Sequence, residues 1–113
     1  MPKQAKLLKA ADFKFVFDKA VRSSDRYFTV LARPNTLKNA RVGMAFTKKR
    51  VKLAVARNRL KRITRESFRL TPDKYFADYV VLAGTHCVKA ENQQLFKSLE
   101  KHWQQLNKKC EES

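Results

Sequence analysis

The segment from Lys52 to Leu70 constrains this chain more than any other. At about 100° per residue, Leu53, Ala56, Leu60, Ile63, Ser67 and Leu70 gather in one arc, while Arg57, Asn58, Lys61, Arg62, Arg65 and Arg69 fill the other side, with Arg59 at its edge. That pattern predicts a helix docked by one face and presenting guanidinium groups outward. Thr71-Pro72-Asp73 is expected to stop it. The signs on the outer face are not mixed: from Arg41 to Arg69 the only acid is Glu66. Solvated helices ordinarily intersperse Glu with Lys, whereas Arg57, Lys61 and Arg65 form an i, i+4, i+8 row of like charge that disfavours the helix by itself. An anionic partner reverses that sign. The preference for Arg over Lys in RNRLKRITR points to bidentate phosphate contacts or to stacking on unpaired bases.

The whole chain agrees with its helix. It carries 26 Lys+Arg against 10 Asp+Glu, a net charge of +16 on 113 residues, and such self-repulsion opposes the compact state. A polyanion is the expected partner. Nucleic acid fits better than a lipid surface, because no apolar run approaches the ~20 residues of a membrane span and the basic segment has few large aromatics to bury in an interface. Met1-Pro2-Lys3-Gln4-Ala5-Lys6 is not followed by an apolar signal core, so a cytoplasmic location is expected. Cys87 and Cys110 lack metal-type spacing and read as two free, inert thiols in a reducing compartment. His86 beside Cys87, and His102, have no second Cys/His pair at zinc-finger spacing, so no metal is assigned to the protein. Gly43 and Gly84 are the only glycines, which leaves no phosphate-cradling loop and no expectation of nucleotide hydrolysis or of a small-molecule substrate.

A length of 113 residues with 43% apolar content suits one domain over 1–113, with a basic leader at 1–9 and a polar tail at 109–113. Ala10–Ala20 predicts a short helix that Asp12 could cap, with Phe13, Val16 and Phe17 on one face and Phe15 pointing elsewhere. Arg26–Arg33 and Arg41–Thr47 read as strands joined by the turn PNTLKN, a hairpin or near-hairpin pair. In that pair Phe28, Val30, Val42, Met44 and Phe46 take the core face. Thr29, Leu31, Gly43, Ala45 and Thr47 take the other, whose mostly small side chains leave a shallow trough open to a ligand. Ala77–Gly84 is a compact β-branched run, expected as a buried central strand, and Asn92–Lys108 places Leu95, Leu99, Trp103 and Leu106 on a closing helix. The order α-β-β-α-β-α predicts a two-layer α/β sandwich with a small sheet.

At this point the residues match a family. Arg57-Asn58-Arg59, then Leu60-Lys61-Arg62 and Arg65-Glu66, resemble the RNR signature of the protein subunit of bacterial ribonuclease P. Asp12-Phe13 with Val16-Phe17, Arg26-Tyr27-Phe28, Arg41-Val42-Gly43, Lys48-Lys49 and Tyr79-Val80-Val81-Leu82-Ala83 stand in that family's order and near its spacing. The likeness runs from Lys6 to Leu106. It implies a mixed sheet whose strand–helix–strand crossover has the uncommon left hand. It also implies a role in a ribonucleoprotein: the protein binds a large catalytic RNA and assists removal of the 5′ leader from precursor tRNA. The chemistry then belongs to the RNA and its Mg²⁺ ions, in keeping with a sequence that offers no Ser/His/Asp or Cys/His constellation and no carboxylate cluster for a metal. No catalytic residue is assigned to this chain.

Carried over by position, the resemblance puts Arg57, Asn58, Arg59, Lys61, Arg62 and Arg65 against the catalytic RNA. It makes the trough the leader-binding cleft, lined by Phe13 and Phe17, by Thr29 and Leu31, and by Ala45, Thr47 and Lys48. An extended single strand is held by stacking on aromatics in a positive groove, largely without sequence readout. Phe13 and Phe17 have a competing reading as core, since i, i+4 aromatics on an amphipathic helix usually are. Leu31 stands where the family often has an aromatic, so contact there is expected to be weaker or steric. Arg50–Ala56 lacks a Gly found in some relatives and adds Arg50 and Lys52, which implies more backbone electrostatics. A ribosomal protein would share the basic helix and α/β core but not this ordered motif set. A DNA-binding regulator would need two helices joined by a tight turn, whereas here a strand precedes the basic helix.

Overall fold

The computed structural model describes residues 6–7, 9–37, 39–71 and 74–112. In chain order the elements are β1 (Lys6–Leu7), α1 (Ala10–Asp18), β2 (Val21–Ser24), β3 (Phe28–Pro34), β4 (Arg41–Ala45), α2 (Ala54–Arg69), β5 (Ala77–Ala83) and α3 (Asn92–Glu112). The strands form one mixed sheet in the order β1-β4-β5-β3-β2. The expected α/β architecture stands, with two further strands. Met1–Ala5 and Leu8 of the leader lie outside the described residues, but Lys6 and Leu7 pair in parallel with Arg41 and Val42.

The hairpin reading is overturned. β5 inserts between β3 and β4, antiparallel to the first and parallel to the second, so that Val30 and Met44 both face Val81 across the ladders. β4 and β5 are therefore joined through α2 as a strand–helix–strand crossover. β5 is buried along almost its whole length, as a β-branched run covered on both faces should be.

One face of the sheet carries the main core. Phe28, Val30, Val42, Tyr79 and Val81 meet Leu60, Ile63 and Phe68 of α2 and Leu95, Leu99, Trp103 and Leu106 of α3. Phe68, Tyr79 and Trp103 pack edge-to-face with centroids 5.4–5.7 Å apart, and the Trp103 indole N–H donates to the Ser67 hydroxyl at 2.9 Å, so the largest buried ring leaves no polar atom unpaired. α1 lies against the other face, where Val16 and Phe13 pack on Val80, Leu31 and Leu82.

Helix ends explain the remaining departures. Asp12 is not the residue before α1: it sits in the first turn and accepts the Lys9 backbone N–H at 2.9 Å. Leu53 and Leu70, expected in the buried arc of α2, are its flanking residues and are exposed; Thr64 and Phe68 are buried instead. Pro72 and Asp73 of the expected stop lie outside the described residues, and α2 ends with the Lys74 ammonium donating to the carbonyls of Phe68 and Thr71, which satisfies orphan acceptors. The closing helix also runs past its expected end at Lys108: α3 continues to Glu112, with Cys110 extending the stripe of Leu99, Trp103 and Leu106 into the core. Gly84 is required by a close approach: a Cβ there would stand 2.6 Å from the Arg26 carbonyl oxygen, while its N–H donates to Tyr27 O at 2.9 Å.

Candidate nucleic-acid interface

Two surfaces on opposite faces of the sheet hold the residues singled out by sequence. On α2, Asn58, Arg62, Arg65 and Arg69 form the exposed stripe, Lys61 is half-buried beside it, and Arg69 is partnered by Glu66 one turn away. Among the described residues Arg62 and Arg65 make no ion pair with the protein. The first turn of α2 has no acidic residue and no side-chain cap, so its free N–H groups add positive potential to that of the side chains.

Arg57 and Arg59 do something the sequence reading did not assign. Both are half-buried and turn back onto the protein. Arg57 Nη1 donates to the carbonyls of Val51 and Lys52 at 2.8 and 2.9 Å. Arg59 forks across the loop before α3, donating to Asn92 Oδ1 at 2.9 Å, to Val88 O at 3.2 Å and to Ala90 O at 2.6 Å. The like-charge row is thereby relieved at one end, because the Arg57 charge rests on two carbonyl dipoles.

On the other face, ladder register fixes the floor of the trough. Ala45, Leu82, Thr29 and Ser24 lie in one row across β4, β5, β3 and β2, and Gly43, Val80, Leu31 and Arg22 in the next. The floor therefore runs across the strands. α1 forms one wall: Phe13 is half-buried against the sheet, Phe17 is 52% exposed, and their rings stack with centroids 6.4 Å apart and planes at 25°. Thr29, Leu31 and Ala45 are half-buried, whereas Thr47 and Lys48 are exposed at the end of β4 nearest α2. The Thr29 and Ser24 hydroxyls are 2.7 Å apart. Leu82, Val80 and Ser24 were missed because nothing local reveals that β5 and β2 flank β3.

Arginines hold that wall at both ends. Arg41 donates to Asp78 through Nε at 2.8 Å and Nη2 at 2.6 Å, and reaches Asp12 of α1 at 3.3 Å; the hydrogen bond to Asp78 raises its pKa further. Arg33 donates to Phe15 O at 2.7 Å and lies 3.8 Å over the Phe15 ring, which accounts for Phe15 pointing away from the trough.

The donor set does not fit a metal. Among the described residues no group of three His, Cys, Asp or Glu converges, and Asp12, Asp25 and Asp78 are already taken by cations or amides. His102 is buried in α3, with Nδ1 2.6 Å from the Ser23 hydroxyl and Nε2 3.3 Å from Asp25. Both cysteines are buried, and burial pushes both thiols up. No helix among the described residues is long and apolar enough to cross a membrane.

An α/β scaffold with an exposed guanidinium stripe, in which Arg62 and Arg65 have no ion-pair partner among the described residues, and with an aromatic-walled trough has the features of an RNA-binding protein of the kind that serves a larger ribonucleoprotein. The ribonuclease P family model matches residues 1–107. The chain is 46% identical over 110 residues to the ribonuclease P protein component of Methylococcus capsulatus, covering 96% of this chain and 86% of that one. It is 42% identical over 107 residues to that of Aliivibrio fischeri, covering 94% and 92%. The solved Staphylococcus aureus RNase P protein superposes with TM-score 0.82 at 29% identity, covering 90% of this chain and 94% of that one. The Thermotoga maritima protein does so with TM-score 0.78 at 25% identity, covering 91% and 96%. The chain belongs to the ribonuclease P protein family, as a protein component of that tRNA-processing enzyme.

Proposed function

We propose that the chain binds the catalytic RNA of ribonuclease P through α2 and the 5′ leader of precursor tRNA through the trough. The observation that carries this is the separation of the two surfaces by the sheet: unpaired Arg62 and Arg65 on one side, and on the other stacked Phe13 and Phe17 over a floor that mixes small residues such as Thr29 and Ala45 with Leu31, Val80 and Leu82. One protein can thus hold both RNAs at once. Asn58, Lys61, Arg62 and Arg65 contact phosphates of the catalytic RNA, while Arg57 and Arg59 act through the loops they hold. Phe17 offers an exposed ring face to a leader base, Thr29, Leu31 and Ala45 form the floor beneath it, and Thr47 and Lys48 mark the end nearest the catalytic RNA. Mg²⁺ belongs with the RNA, where it supplies the metal-assisted hydrolysis; the protein supplies affinity and position in the cytoplasm.

The test is reconstitution. The nuclease-free protein alone leaves precursor tRNA intact, and added to its RNA it raises leader removal, most at low Mg²⁺ where protein cations replace missing screening. Cleavage by the protein alone, or no gain at low Mg²⁺, overturns the reading.

A further inference from the structure

Beside the N-terminal end of α2 lies an open pocket of about 330 Å³, lined by Arg50, Val51, Lys52, Leu53, Ala56 and Val88. Its walls come from two loops, one following β4 and one preceding α3. The interior is aliphatic. Val51 and Ala56 form its buried base, and Leu53 and Val88, 67% and 42% exposed, its lips. Val55, in the first turn of α2, is a further exposed aliphatic side chain at 78%. Exposed aliphatic side chains grouped around a concavity mark a binding site more often than chance, and this volume is at the lower end of the roughly 300–1,000 Å³ of small-ligand sites. The rim is cationic: Arg50 and Lys52 are exposed, with no acidic residue in the adjoining first turn of α2.

Both walls are held by the arginines that face inward. Arg57 binds the carbonyls of Val51 and Lys52, which belong to one wall, and Arg59 binds that of Val88, which belongs to the other, together with Ala90 O and Asn92 Oδ1. A guanidinium cannot lose its proton and offers donors in a fixed fork, so each wall is fixed before any ligand arrives. A preformed pocket with apolar sides and a cationic rim suits a group that is apolar on its faces and anionic at its attachment. An unstacked nucleobase with its phosphates is such a group, and unpaired bases are what proteins grip in RNA.

We propose that this pocket receives one unstacked base of the catalytic RNA, with Arg50 and Lys52 on the flanking phosphates and with Arg57 and Arg59 as positioning residues that hold its two walls. The inference rests on the reading that α2 faces that RNA, and it adds a base contact to what is otherwise backbone binding.

The experiment compares wild-type protein with a Leu53→Ala/Val88→Ala double variant on the full catalytic RNA, alone and with precursor tRNA bound, the unpaired bases of both RNAs being probed with a small alkylating reagent. Both side chains are exposed, and thermal melting verifies that the variant keeps its fold. At least one base shielded by the wild type becomes reactive with the variant. Kd rises about tenfold, roughly 1.4 kcal/mol, while the slope of log Kd against log salt stays the same because no phosphate contact is lost. Equal shielding and equal Kd overturn the pocket, and so does a loss of affinity with a smaller salt slope. Shielding found only on the precursor tRNA, or a variant that changes self-association in sedimentation and not RNA binding, assigns the pocket to another occupant and overturns the proposal as well. Absence of salt-dependent binding by the wild type itself would instead refute the functional reading. For the positioning role, Arg59→Lys keeps the charge and loses the fork: it raises Kd in the wild-type background and adds little in the double variant. Full additivity removes Arg59 from the pocket.

Discussion

The Arg41 guanidinium meets the Asp78 carboxylate in a two-pronged contact, Nε to Oδ1 at 2.8 Å and Nη2 to Oδ2 at 2.6 Å, with Asn35 Nδ2 closing on the same carboxylate at 2.7 Å. Asp78 is 1% exposed and sits on the central strand, whereas Asp12, the second acid of the group, is a quarter exposed. Removing one partner of a buried pair strands the other charge, which costs about 3–5 kcal/mol. Arg41→Ala should therefore lower the unfolding free energy by about that amount in urea titration. Asp12→Ala should cost about 1 kcal/mol, the size of a lost helix cap. Equal losses for the two would contradict the central place given to Asp78.

A second prediction concerns acid. Burial lowers the pKa of His102 below its usual 6.5 against the opposing pull of Asp25. Burial alone would raise Asp25, but the Phe28 N–H, the Ser98 hydroxyl and the Tyr27 N–H, with His102 nearby, hold its carboxyl well below the usual carboxylate range. The signs follow from linkage. Unfolding lets His102 take up a proton, so its contribution is complete above pH 6.5 and is lost as pH falls below it. The Asp25 contribution is present above its unfolded value of 3.8 and is lost below that. Stability measured from pH 8 to 3 should fall in two stages, the first with a slope of up to about 1.4 kcal/mol per pH unit. His102→Gln should flatten the first stage. A wild-type curve that is level between pH 7 and 5 would refute the assignment.

The sequence revealed faces better than partners. Phe28, Val30, Val42 and Phe46 are buried, and Thr29, Leu31 and Ala45 look into the trough, although the hairpin that suggested this does not exist. The assignment survives because alternation along a strand sets which side chains share a face, whatever strand lies alongside. The insertion of β5 depends on contacts remote in sequence, and no local pattern encodes it. β2 was invisible for a different reason. Val21–Ser24 is an edge strand whose buried member, Ser23, faces His102 and Gln105 and not an apolar layer. In the basic helix, periodicity located the cations but not their reach: Arg57 and Arg59 bend back to carbonyls on loops that only the folded chain brings near.

Because Arg57 turns inward, the two arginines should separate by salt dependence. Arg62→Ala should weaken binding of the catalytic RNA by about 1.5–3 kcal/mol and reduce the salt slope by roughly 0.7–0.9, the value of one phosphate contact. Arg57→Ala should weaken binding with little change in slope and should lower thermal stability, since it frees the Val51 and Lys52 carbonyls. Binding isotherms at several KCl concentrations supply both numbers. A reduced slope for Arg57→Ala would return that residue to the RNA contact assigned by sequence.

Phe17 separates the trough from the basic helix. Its side chain is half exposed while Val16, next in the chain, is fully buried, so truncating Phe17 removes little core, whereas truncating a buried Phe costs about 3–5 kcal/mol of stability. Phe17→Ala should leave the melting curve close to wild type. Its effect should appear in binding, because only precursor tRNA carries leader nucleotides that can stack: affinity of the reconstituted enzyme for precursor should fall by about 1–3 kcal/mol, the value of one base–aromatic contact, with affinity for mature tRNA nearly unchanged. Phe13→Ala should do both, since that ring packs on Leu31, Val80 and Leu82 and also stacks on Phe17. Two binding curves beside one thermal melt decide it. If Phe17→Ala weakens precursor and mature tRNA equally, or unfolds the protein as readily as Phe13→Ala, the exposed ring does not hold the leader and the trough loses its aromatic platform.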